Sequence, residues 1–240
     1  MKNSLLALVL CAALASPALA QKTKVKTKGG AAATELPFSA RRLQPLFGGL
    51  TPEAAQQLLG EPFINGIAQS FASRAEASRF FTNKGYEYLT EGQPDTARYR
   101  FNLAWVLDPQ NSHAYRGLGI LTSATSLDES IGLFARGLAA APGNSQLLSD
   151  LGASYLLRHE QTKKAKDLKL AQQHLDQAVA ADANNAYAYQ QLARVYYLQG
   201  SYPQAWEAVH KARNLSLSNV DFGLVSELTA KLADPQGVFK

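Results

Sequence analysis

A glycine recurs at the same place in three successive helical patterns, and its spacing decides what this chain can fold into. Gly85 in NKGYEYL, Gly119 in RGLGIL and Gly152 in SDLGASYLL stand 34 and 33 residues apart, and Ala193 in QQLARVYYL follows 41 later. A near-constant period of this size means one supersecondary unit copied along the chain, each copy unable to bury its apolar face without a neighbour. The unit is helical. Thr51-Pro52-Glu53 supplies an N-cap, a first-turn proline and an acidic residue, and Gly60 ends that helix. Ser126-Leu127-Asp128-Glu129 has capping-box spacing ahead of IGLFARGLAAA. Gly92-Gln93-Pro94 and Gly200-Ser201-Tyr202-Pro203 each place glycine after one helix and proline inside the start of the next. No stretch alternates apolar and polar residues between hairpin turns, which argues against a sheet.

Within a copy, small residues mark where two helices touch. In ARYRFNLAWVLDPQN, Ala97 and Ala104 flank Phe101, and Pro109 biases Asp108 away from helical geometry, turning the chain into the next unit. Gly85 facing Ala97 lets the two helices of the first copy approach, Phe101 and Tyr88 fill the flanking space, and Ala104 admits the following copy.

These residues resemble the pattern of the tetratricopeptide repeat family. The first repeat, 78–111, carries Phe81, Gly85, Tyr88, Ala97, Phe101, Ala104 and Pro109, with Lys84 where leucine is usual. The second, 112–144, carries Tyr115, Leu118, Gly119, Ala135 and Leu138, departs at Thr122 and Ile131, and reaches Pro142 one position early. The third, 145–185, has Leu148, Leu151, Gly152, Tyr155, Ala171, Leu175 and Ala178, with its second helix arriving seven residues late. An insertion near 159–169, HEQTKKAKDLK, is expected to lengthen the turn between its helices. The fourth, 186–217, has Tyr189, Leu192, Ala193, Tyr196, Ala205, Val209 and Ala212, and no terminal proline. The resemblance covers residues 78–217, and implies an all-α, right-handed α-solenoid of about four helical hairpins. Capping helices are expected over 51–77 and 218–233, with 234–240 as a tail.

The N-terminus reads differently. Residues 1–20 have a basic start, a short apolar run from Leu5 to Leu14 and the small-residue site Ala18-Leu19-Ala20, the layout of a secretory signal peptide. The run is too short to span a bilayer. Cys11 follows Leu10 instead of a small residue, so cleavage is expected over lipid anchoring. Removal at Gln21 takes away the only cysteine, leaving no disulfide or thiolate chemistry. No transmembrane segment is expected in the mature chain, and its place is the periplasm or the cell exterior.

The net charge of +5 belongs to the leader. Lys22, Lys24, Lys26, Lys28, Arg41 and Arg42 lie there, whereas from Leu43 onward 17 Lys and Arg stand against 18 Asp and Glu. Residues 21–50 are expected to form a disordered basic leader and linker. Such a tail acts as a solubilising spacer or as a tether to a polyanion or the cell wall; without interleaved aromatics, nucleic acid is an unlikely partner.

Catalytic patterns are missing. His113, His159, His174 and His210 have no partner at helical metal spacing, and His159-Glu160 lacks the second half of a zinc-protease motif. No glycine-rich phosphate loop follows a strand, no nucleophile elbow occurs, and no metal or other cofactor is expected. The lysines at 163, 164, 166 and 169 read as a solvated face of the insertion.

The remaining candidate is a groove. The resemblance implies that first helices line a concave surface, which maps onto Arg79, Thr82 and Tyr86; His113, Arg116 and Ile120; Gln146, Ser149 and Ala153; and Tyr187, Gln190, Arg194 and Tyr197. Some family members hold a peptide carboxylate with Lys and Asn at two of these offsets, where Thr82 and Tyr86 stand here. Arginines beside aromatics are expected to take an extended peptide or a helix of some acidic character. The expected function is non-catalytic protein binding.

Overall fold

The structure is a computed structural model that describes residues 36–239. The expected signal peptide and the lysines of the leader lie outside the described residues. Short helices come first: α1 (Phe38–Arg41), α2 (Leu46–Gly49), α3 (Pro52–Leu59) and α4 (Glu61–Gln69). Eight long ones follow: α5 (Arg74–Thr90), α6 (Pro94–Leu107), α7 (Ser112–Ser123), α8 (Leu127–Ala140), α9 (Ser145–Thr162), α10 (Ala165–Ala181), α11 (Ala186–Leu198) and α12 (Tyr202–Leu215). After a 3₁₀ turn at Leu217–Asn219 comes α13 (Phe222–Thr229). No strand occurs among the described residues.

The long helices pair as hairpins α5/α6, α7/α8, α9/α10 and α11/α12, and each second helix lies on the first helix of the next hairpin. This is the α-solenoid of four hairpins expected from the period. First helices also touch one another, α5 against α7 and α9 against α11, which puts them on the inner side of the stack. The core runs through the stack, with Phe101, Leu118, Leu147, Leu175, Val195 and Trp206 almost wholly removed from water.

Phe101 shows why the small residues fall where they do. A Cβ added to Gly85 would lie 2.5 Å from the Phe101 ring, and one added to Gly117 would enter the same ring. The ring thus fills a slot between its own hairpin and the next, with Tyr86 edge-on at 4.9 Å. Asparagines at the repeat boundaries add the second recurring contact. Asn111, Asn144 and Asn185 cap α7, α9 and α11 by accepting backbone N–H bonds. The Asn111 amide also donates to Ser78 Oγ at 2.7 Å and Thr82 Oγ1 at 2.9 Å, and Asn185 donates to Ser145 Oγ at 2.8 Å. Asn111 and Asn185 thereby stitch their helices to the preceding first helices, α5 and α9.

Four expectations need correction. The segment expected to be leader up to residue 50 is ordered from Leu36. Leu46 to Gly49 form a turn with positive φ throughout, held by burial of Leu46 and Phe47. Buried Asn102 fixes it, accepting from Leu46 N at 2.8 Å and donating to the Arg42 and Gln44 carbonyls at 3.0 and 2.9 Å. The N-terminal cap ends earlier than residue 77, because Ser73 caps α5 at the Glu76 N–H and the first repeat helix begins at Arg74.

The insertion lengthens the helices instead of the turn. The 18 residues of α9 and 17 of α10 compare with 12 and 14 in α7 and α8, and only Lys163 and Lys164 separate them. Arg158 clamps the two added turns through Asp167 at 3.0 and 2.7 Å, so the inserted charges pair across the hairpin while the helix hydrogen bonds continue.

The tail, finally, is folded back on α12. Asp234 accepts from the N–H groups of Gln236, Val238 and Phe239 and bonds His210 Nε2 at 2.7 Å. Phe239 stacks on Trp206 and His210. Burial alone would push the Asp234 carboxyl up, but the Phe239 and Gln236 amides, the His210 ring and the Val238 amide outweigh it and hold the group at about 2. Because the folded value lies below that of a free carboxyl, about 4, the group adds stability above that pH and loses it as pH falls toward 2. Asp234→Asn therefore melts below the unmodified chain at neutral pH, by about 1–2 kcal/mol, and the two melting curves converge near the acid limit. A pH series of thermal denaturations reads this; a gap that stays constant down to acid pH would contradict it.

Candidate partner-binding cleft

The inner side opens into a cleft of ≈ 690 Å³ along α7, α9 and α11, closed at one end by α13. Ile120, Leu127, Phe134, Ala153, Leu156, Leu157 and Leu224 give it an apolar floor, and Asp150, Glu160, Asp221, Glu227, Arg194 and Tyr187 line its rim. No helix among the described residues is long and apolar enough to cross a membrane.

The rim is built by the repeat period. Arg116 on α7 bonds Asp150 on α9 at 2.6 Å, and Arg194 on α11 bonds Glu160 on α9 at 3.0 Å and Glu227 on α13 at 2.7 Å. Each pair joins neighbouring inner helices. Arg116 also lies over the Tyr86 ring and Arg194 over the Tyr197 ring, at 6.0 and 5.5 Å. Burial pushes the Asp150 carboxyl up even though Arg116 pulls it down. Tyr187 is pushed up to about 12 by burial, with Asp150 adding to the effect.

The thirteen residues expected at the groove divide into four groups. Ile120, Ala153, Tyr187, Gln190 and Arg194 line the cleft. Thr82 and Ser149 are buried and tied to the Asn111 and Asn185 amides, so they hold the stack together and face no ligand. Gln190 is itself 6 % exposed and accepts from Asp221 N–H, which fixes the start of α13. Arg116, Tyr86 and Tyr197 belong to the ion-pair and aromatic frame beside the cleft, with the Tyr86 hydroxyl donating to the His113 carbonyl at 3.2 Å. Arg79, His113 and Gln146 are exposed on first helices outside the cleft.

Sequence reasoning missed the carboxylates Asp150, Glu160, Asp221 and Glu227, and with them the sign of the site. Neither arginine is free to take an acidic ligand, because both are held by the protein's own acids. The expectation of an acidic partner is replaced by a cleft with an excess of negative charge.

No protein-family model matches the chain, and neither does any curated protein. Solved structures do. PilF of Pseudomonas aeruginosa superimposes with a TM-score of 0.57 at 19% identity, over 68% of this chain and 71% of that one. A thermophilic tetratricopeptide protein of Thermus thermophilus gives a TM-score of 0.52 at 19% identity, over 67% and 90%. MamA of Desulfovibrio magneticus gives 0.51 at 19% identity, over 67% and 86%. Four stacked hairpins, a period near 34 residues and these likenesses establish that the chain has the tetratricopeptide-repeat fold.

Proposed function

We propose that the chain is a non-catalytic interaction module that binds a peptide or helix of another polypeptide chain in the cleft between α7, α9, α11 and α13. The observation that carries this reading is the cleft itself. Its lining comes from the inner helices α7, α9 and α11, with Leu127 and Phe134 of α8 and the start of α13. An apolar floor under an ionic rim is the kind of groove into which an extended peptide or amphipathic helix lays its apolar face. The polar groups nearby are engaged in ion pairs and caps, which supports binding without chemistry. We place the working protein outside the cytoplasm, in the bacterial envelope or beyond, on the strength of the Ala18-Leu19-Ala20 site.

The test is capture of partners from the exported fraction of the producing cell. Leu157 and Tyr187 are 42% and 39% exposed in the cleft, so Leu157→Asp combined with Tyr187→Ala should shift stability by no more than about 1 kcal/mol. Capture should fall by about tenfold or more, the effect of losing an interface anchor, and the captured chain should begin at Gln21. Undiminished capture by the double variant, or an intact Met1 on the exported protein, would overturn the corresponding half of the proposal.

A further inference from the structure

We propose that the occupant of the cleft is the lysine-bearing leader, Lys22 to Lys28, of a second copy of this chain. The proposal rests on the cleft reading above and supplies its partner.

The charge of the cleft comes first. Asp150, Glu160, Asp221 and Glu227 face it, against Arg194 and the neighbouring Arg116, four carboxylates to two guanidiniums. Arg194 is shared by two of those acids, and Asp221 is met by the Leu224 N–H of α13 and, among the described residues, by no cation. A concave wall with an excess of one sign attracts the opposite charge into the groove. An acidic ligand would have to break an existing pair to enter. A cationic one completes the pairing.

The chain carries a matching segment. Gln21 to Lys28 reads QKTKVKTK, four lysines at alternate positions with no acid among them, while the chain from Leu43 onward has a net charge of −1. Bound as an extended strand, alternate residues project to one side, so all four ammonium groups could approach the acidic rim together. Seven residues in that form span about 23 Å, a length that follows several helices of a solenoid wall. Lysine stems lie well on apolar surface while their heads reach carboxylates, which is the combination of floor and rim found here.

The position of the leader's attachment favours a neighbouring copy. The chain enters the described unit at Leu36, and residues from there to Gly49 are laid on α6, an outer helix of the first hairpin, through Asn102 and the Tyr99 ring. The cleft lies on inner helices and ends at α13, beyond the last hairpin. A contact joining the start of one copy to the cleft of the next assembles copies: reciprocal exchange of leaders closes at a dimer, and head-to-tail repetition gives rings or filaments.

The chain expressed from Gln21 is the material for the test. Sedimentation velocity at about 0.05 M salt, where exposed charges act over about 14 Å, should show a dimer or larger species that grow with concentration at the expense of the monomer. Lys22→Glu/Lys24→Glu/Lys26→Glu/Lys28→Glu should weaken this association by tenfold or more, as should Glu160→Gln/Glu227→Gln, with each variant's melt confirming its fold. A fluorescent synthetic peptide of residues 21–31 should bind the four-lysine variant, whose cleft no leader fills, and should lose that binding when the two glutamates are also replaced. A monomeric chain, association that survives the lysine reversals, or a peptide indifferent to the glutamates overturns the proposal. If the peptide fails while Leu157→Asp/Tyr187→Ala still abolishes capture of another protein, only this occupant is wrong. If both fail, the cleft reading falls with it.

Discussion

Phe101→Ala should destabilise the protein by about 3–5 kcal/mol, among the largest effects expected of a single truncation in the stack. The ring is fully buried and is the common contact of two hairpins, reaching Gly85 in its own repeat and Gly117 in the next. Removing it opens a cavity whose walls are helix backbones, and backbones collapse poorly onto lost volume. The same geometry makes a sharper prediction about the glycines. Gly117→Ala alone forces a methyl into the ring and should cost about 1–3 kcal/mol. In the Phe101→Ala background that methyl enters the vacated space, so its cost should drop by at least about 1 kcal/mol. Urea titrations of the two single variants and the double variant measure the coupling. Additive effects would mean that ring and glycine do not meet.

Asn102→Ala should cost about 2–4 kcal/mol, from three hydrogen bonds lost at a buried site. It leaves the buried Leu46 N–H and two carbonyls without partners and removes the tie on a turn whose two non-glycine residues sit at φ 51 and 52. That turn persists only because its surroundings over-determine it. The first consequence should therefore be local: trypsin should cut after Arg41 and Arg42 about tenfold faster or more in the variant, before the repeats unfold. Equal cleavage rates in the two proteins would show that the segment is held by something other than Asn102.

How much of this was legible in the sequence follows from which interactions are periodic. The hairpins were legible because Gly85, Gly119 and Gly152 repeat a steric requirement at a fixed interval. The ion pairs repeat too: Asp150 lies 34 residues after Arg116, and Glu160 lies 34 before Arg194. Asp150 lies about one period beyond Arg116 and Glu227 about one period beyond Arg194, so these two partners could have been found by stepping along the chain. The third repeat is 41 residues long, however, and Glu160 lies seven residues past the point equivalent to Arg194. Reading each repeat by itself hid them, and the arginines looked free. Thr82 and Ser149 were misplaced for a related reason. Their offsets face inward, but the boundary asparagines one repeat later claim their hydroxyls.

Other features had no periodic signal. Asn102 sits among apolar neighbours in FNLAWVL, and nothing local says that its amide reaches 56 residues back to Leu46. LFGG reads as linker because two glycines follow two apolar residues, while its order comes from burial against α3 and α6. The longer third hairpin was read as a longer turn because an insertion rich in lysine resembles a loop; its residues are also good helix formers, and the Arg158–Asp167 pair holds the added turns. Asp234 gave no hint of its role, since the residues that surround it arrive from α12 and from the last few positions of the chain.

The measurement that bears most directly on the cleft is site-specific photo-crosslinking in the producing cell. One photoreactive residue replaces Leu157, exposed on the cleft wall, and in a separate strain one replaces Lys211, exposed on the outer helix α12. If the inner surface is where this protein works, position 157 should yield discrete protein adducts on illumination and position 211 should yield none. Adducts at 211 with none at 157 would place the working surface on the outer helices and contradict the account.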